Sequence, residues 1–130
     1  MVVDTSALVA IFRSEPEAER FVDLIDRAET ALISSVTVVE SLMILCGRDG
    51  VPRAAAEAFI EALGLAVEPV DEAQRRAAAD AHFAFGRGRH PAGLSFGDCF
   101  SYALARARGL PLLFKGDDFA RTDIVPAWQP

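Results

Sequence analysis

The sequence predicts an α/β fold: one domain over residues 1–130, a three-layer α/β/α sandwich with a mainly parallel central sheet. Three observations predict it. Short β-branched or leucine-rich runs alternate with longer segments of helical period. Most transitions between them carry a capping residue or a glycine. At 52% hydrophobic residues, 130 positions suffice for one buried core, which excludes both disorder and a second domain. Strands that alternate with helices need crossover connections, and those cover the sheet on both faces.

Met1–Asp4 is the first strand, a buried β-branched run, and Thr5 and Ser6 offer a cap before the helix Ala7–Phe12. Ser14 and Glu17 have capping-box spacing, with Pro16 in the first turn of a helix to about Ala28. Ala31–Ser34 is the second strand, and Ser35 caps a helix to Cys46 that Gly47 ends. Val51–Leu63 is an amphipathic helix opened by Pro52 and closed by Gly64. Leu65–Val70 is the third strand, and Asp71 caps an alanine-rich helix to Phe85. Gly86–Gly93 is a basic loop that lacks the dinucleotide-binding glycine spacing, because Pro91 stands three after Gly88. Ser95 and Asp98 form a second capping box, on a helix to Arg108 that Gly109 ends. Pro111–Phe114 is the fourth strand, a turn follows Gly116, and Ile124–Trp128 is expected as an edge strand that Pro126 shortens.

Composition excludes several classes. The most apolar stretch, Ala31–Gly47, is shorter than a membrane span and holds Glu40 at its middle, so no membrane role is expected. The N-terminus has no basic region before its apolar run, so a secretory signal is not expected either. Cys46 and Cys99 form no CxxC pair and read as small buried apolar residues in a reducing, cytoplasmic setting. Net charge is −6, yet it is unevenly spread: residues 1–72 hold 14 acids and 5 basic residues, residues 73–130 hold 5 acids and 8 basic residues. A basic surface on an acidic molecule is therefore open to this chain, and local field rather than net charge decides its partner.

The acids are the most informative residues. Asp4 closes the first strand, and Asp117 follows the fourth by a short turn; residues just past strand ends line the ligand crevice of a parallel sheet. Glu40 has Val36, Val39, Met43 and Ile44 as helical neighbours, which places a carboxylate on an apolar face. Such a group needs an arginine, a route to water, or a metal ion. Asp98 is the reciprocal acid of a capping box and also opens toward the same strand ends. Oxygen-only donors select Mg²⁺ or Mn²⁺ over zinc, and such an ion supports phosphodiester hydrolysis. His82, expected to be packed in its helix, and His90, in the basic loop, make a poor base for a Ser-His-Asp triad.

MVVDTSAL, SVTVVESLMIL and LSFGDCFSYALARARGLPLLFKGDDFARTDI, in that order, resemble PIN-domain ribonucleases, in particular the VapC-type toxins of type II toxin–antitoxin pairs. The resemblance covers nearly the whole chain. It implies a metal-dependent endoribonuclease with a site of Asp4, Glu40, Asp98 and a fourth acid, with Ser6 beside the first aspartate. Two neighbours compete for the fourth place; phase favours Asp117, since Asp118 is free to cap the turn that follows. The resemblance further implies Mg²⁺ or Mn²⁺, an RNA substrate such as tRNA or rRNA, a homodimer, and a cognate VapB-type antitoxin that lies in an apolar groove. Val9, Phe12, Leu42, Leu45 and the helix Val51–Leu63 are the expected stock for that groove. Arg87, Arg89 and Lys115 are expected to meet RNA. The competing class is a non-catalytic, degenerate PIN domain that only binds RNA or a protein partner.

Overall fold

The computed structural model describes all residues 1–130. Four strands, β1 (Val2–Val3), β2 (Leu32–Ser34), β3 (Ala66–Glu68) and β4 (Leu112–Leu113), pair in parallel in the order β3-β2-β1-β4. In register, Val2 faces Leu32 and Leu112, and Leu32 faces Ala66. Six helices surround them: α1 (Thr5–Phe12), α2 (Ala18–Arg27), α3 (Ser35–Gly47), α4 (Arg53–Ala62), α5 (Glu72–Phe85) and α6 (Phe96–Arg108).

The two-residue period of a strand sorts the layers. Val2, Leu32 and Leu112 point to one face, where they pack with Ala78, Ala81, Tyr102 and Leu104 of α5 and α6. Val3 and Leu113 point to the other and meet Ala7, Phe21 and Ile25 of α1 and α2. Ile33 shares that second face with Leu8, Leu45 and Ile60, the last from α4. The three-layer sandwich is thus realised, with every central strand buried on both sides. No helix is long and apolar enough to cross a membrane.

Chain order runs outward from β1 to β2 and β3, then returns to β4 on the other side of β1. The crevice of such a sheet opens at that reversal, beyond the carboxyl ends of β1 and β4. There, Asp4 N–H donates to the Leu113 carbonyl at 2.9 Å. At the neighbouring edge, the hydroxyls of Thr37 on α3 and Ser101 on α6 are 3.1 Å apart and buried. They tie the helix carrying Glu40 to the helix carrying Asp98.

Local signals mostly translate into structure. Asp71 accepts from Gln74 N–H, the Ser95–Asp98 box closes in both directions, and Gly109 ends α6 at φ +62°. Several expectations fail: Asp4 rather than Thr5 or Ser6 caps α1, and Ser34 rather than Ser35 caps α3. Ser14 takes φ +52°, which a capping residue with extended backbone cannot have, so its box with Glu17 does not form and α2 begins only at Ala18. Ile124–Trp128 contributes a single bridge from Pro126 to Leu112, because proline withholds the N–H that an edge strand needs. His82 is exposed, and Cys46 is only partly buried.

Candidate metal centre

Asp4 is the best-held acid of the chain. It is 2% exposed and caps α1. Its Oδ2 accepts from Ser6 N–H at 2.9 Å and from the Ser6 hydroxyl at 2.7 Å. Ser6 Oγ in turn accepts from Lys115 N–H at 3.0 Å, so one hydroxyl joins the start of α1 to the turn after β4. The other oxygen, Asp4 Oδ1, is buried with no hydrogen-bond partner. A buried carboxylate oxygen left unpaired is costly unless a cation meets it.

Glu40 and Asp98 line the same hollow as Asp4, a space of about 460 Å³. Asp98 spends Oδ2 on the Ser95 N–H at 2.8 Å, which leaves its second oxygen uncommitted. Burial pushes the Asp98 carboxyl up to about 6; the Asp4 charge adds to this, the Ser95 hydrogen bonds oppose it, and Glu40 adds a little more. Burial also raises Glu40, with the Thr5 side chain working against it and the Asp4 charge adding to it. No lysine or arginine forms an ion pair with any of the three. The arginine partner that would have explained Glu40 structurally is not there.

These donors fit a hard divalent cation. All are carboxylate oxygens, their charges oppose one another, and one is orphaned in the interior. No three acid, histidine or cysteine side chains already converge in ligating geometry.

The two candidates for a fourth acid fall to different hollows. Both aspartates are exposed; Asp118 lines the hollow with Asp4, whereas Asp117 lines a neighbouring hollow beside Phe114 and Trp128. Gly116 at φ +99° reverses the chain after β4, so counting phase from the strand no longer applies. Nor does Asp118 cap the turn Phe119–Arg121 with its side chain.

The basic residues also sort differently. Arg87 is exposed and lines the hollow. Lys115 lines it too, but its ammonium is engaged by Glu15 and Glu17, the latter at 2.9 Å. Arg89 stands outside, with its guanidinium 4.8 Å over the Phe83 ring. Arg13 and Arg48 line the hollow and were missed in the sequence. Arg48 had a signal: Glu40, Ile44 and Arg48 repeat every four residues, one helical face, and all three line the hollow. Arg13 had none, since it reaches the site from the far end of α1.

Of the residues expected to build an apolar groove, Val9 and Leu45 are core, and Phe12 and Leu42 pack against the same cluster. The apolar face around Glu40 is open instead, with Val39 57% and Met43 70% exposed.

The family model of the PIN domain matches residues 1–125. Ribonuclease VapC28 of Mycobacterium tuberculosis is 46% identical over 129 residues, covering 98% of this chain and 97% of that one. The chain belongs to the PIN-domain family, among the VapC ribonucleases. Ribonuclease VapC30 of the same species is 41% identical over the full length of both proteins. A VapC ribonuclease of Mycolicibacterium smegmatis is 42% identical, covering 96% of this chain and 98% of its own. Among solved structures, Mycobacterium tuberculosis VapC20, a toxin that cleaves the sarcin–ricin loop, superposes with a TM-score of 0.74 at 21% identity, covering 99% of this chain and 98% of its own. A toxin–antitoxin complex from Klebsiella pneumoniae gives 0.72 at 17%, with the same coverage. At those identities the likeness speaks for the PIN fold.

Proposed function

We propose that this VapC-family ribonuclease cuts RNA internally with a divalent ion, Mg²⁺ or Mn²⁺, held by Asp4, Glu40 and Asp98, with Asp118 as the fourth acid. The observation that carries the reading is the lining of one hollow by three mutually repelling carboxylates, one with a buried, unpartnered oxygen. The ion would orient and activate a water and stabilise charge on the phosphate. The chain's own residues do the rest. Ser6 fixes the Asp4 carboxylate, and the Ser95 box fixes Asp98, so neither must reorganise to bind the ion. Arg48 and Arg87 at the hollow's edge draw RNA phosphates toward an otherwise acidic site. Lys115, paired with Glu15 and Glu17, braces that edge rather than offering its charge to RNA.

The biological role that follows is the toxin of a type II pair acting on cytoplasmic RNA, silenced by a VapB-type antitoxin, as a homodimer. Exposed Val39 and Met43, one on each side of Glu40 in sequence, support a protein partner that covers this region. The test is cleavage of total RNA by the purified protein, with 5′ ends sequenced, in Mg²⁺ or Mn²⁺ and in EDTA. Internal cuts that vanish in EDTA and in Asp98→Asn are expected. RNA binding without any cut, with either metal, would instead make it a degenerate binding module.

A further inference from the structure

A second hollow, of about 480 Å³, opens beside the acid pocket between α5 and the start of α6, and the two share Arg87 and Ser95. Six of its ten lining residues are apolar, among them Leu94, Phe96 and Phe100. Phe96 is 77% exposed, an expensive place for a phenyl ring that contributes little to the core. One helical turn on, Phe100 lies edge-on to it at 5.0 Å and 64°. The titratable residues of the lining are Arg75, His82, Arg87 and Cys99; no acid is among them, although the chain carries net charge −6. Arg75 is held by Glu72 at 2.8 Å, whereas Arg87 takes part in none of the chain's ion pairs. An occupant is therefore wanted that has both a flat apolar face and a negative charge next to it.

We infer that this hollow is a subsite for one unstacked nucleobase of the RNA, laid against Phe96 and Phe100, with the adjoining phosphate on Arg87. RNA is read mainly through bases splayed out of a helix and stacked on aromatic rings, and any base has the face that stacking needs. Because Arg87 borders both hollows, the nucleotide in the subsite adjoins the phosphate at the acids. An apolar side chain from a protein would fill the cavity but leave the unpaired arginine without a partner. The inference rests on RNA being the substrate of the acid pocket.

Binding is separable from cutting in the Asp98→Asn background, in Mg²⁺, with a 5′-labelled, mixed-sequence, single-stranded RNA of 12 nucleotides. Phe96→Ala should weaken its binding about tenfold. Phe96→Trp should keep the affinity and show tryptophan emission quenched as RNA is added. An oligomer with the same phosphates but no bases should bind equally with and without Phe96. Unchanged RNA affinity in Phe96→Ala overturns the subsite, and if that variant also loses a dimer in sedimentation, the occupant is a second copy of the chain. Should the unmodified protein cut RNA while Phe96→Ala binds it equally, only the subsite fails. Should the unmodified protein neither cut nor bind RNA with any metal, the ribonuclease reading falls and takes the subsite with it.

Discussion

A β-carbon added at Gly97 would stand 1.6 Å from Glu40 Oε2 and 2.4 Å from its Cδ. The helix that carries Asp98 can pass this close to α3 only because the residue before the aspartate has no side chain. Glycine inside a helix costs stability through its loose unfolded chain, so this position is maintained against local propensity. Room for the Glu40 carboxylate is what the missing side chain provides.

Gly97→Ala should therefore separate stability from activity. The clash falls on the flexible end of Glu40, which can swing aside, while alanine favours the helix by about 1 kcal/mol. The expected outcome is an unchanged or slightly raised Tm, with Mn²⁺ affinity and RNA cleavage reduced about 10- to 100-fold. Calorimetry and cleavage on the same preparation check it; full activity would mean that Glu40 need not stand where it does.

Asp117 and Asp118 are adjacent in sequence but face different hollows. Asp118→Asn should slow cleavage by about tenfold and weaken metal binding, as loss of an outer carboxylate does. Asp117→Asn should leave both within twofold. Single-turnover rates on one labelled RNA measure the pair, and the reverse ranking would return the fourth place to Asp117.

Ser6→Ala removes two bonds at once, the 2.7 Å bond to Asp4 Oδ2 and the 3.0 Å bond from Lys115 N–H. A stability loss of about 1–2 kcal/mol is expected. Activity should fall more than stability explains, because Asp4 is freed to rotate. Ser6→Thr, which restores the hydroxyl, should recover most of the rate, and a urea titration beside the assay separates the two effects.

The pH dependence has an unusual sign. Asp98 titrates near 3.8 in the unfolded chain but is pushed up to about 6 in the metal-free fold, so between these values the native state holds the extra proton. Its contribution to stability therefore falls as pH rises through that window, by at most about 3 kcal/mol. In EDTA, Asp98→Asn should melt above the unmodified protein at pH 7, with the gap closing by pH 4. A metal must displace that proton, so Mn²⁺ affinity should drop about tenfold per unit below pH 6. A gap in Tm that is flat with pH would remove the burial of Asp98 from the account.

Sequence alone determined whatever rests on bonds between near neighbours. The Asp71 cap, the Ser95–Asp98 box and the Gly109 end of α6 each close within four residues, and they recur in the fold as read. The alternation of strands and helices is equally local, and with it came the sheet and the placing of Asp4 at its rim. Glu40 was legible because a carboxylate among Val36, Val39, Met43 and Ile44 conflicts with its neighbours in the sequence itself. Tertiary structure decided whatever depends on the path of the chain between elements. The reversal at Gly116 turned Asp118 rather than Asp117 to the hollow that Asp4 lines, and the twist at Ser14 broke a box whose letters were correct. Glu15 and Glu17 took the Lys115 charge across about a hundred residues, and Gly97 made room for a carboxylate nearly sixty positions away. The physical reason is range: a hydrogen bond along a helix turn is specified by residues in sequence contact, whereas charge pairing and steric room belong to whichever surfaces packing brings together.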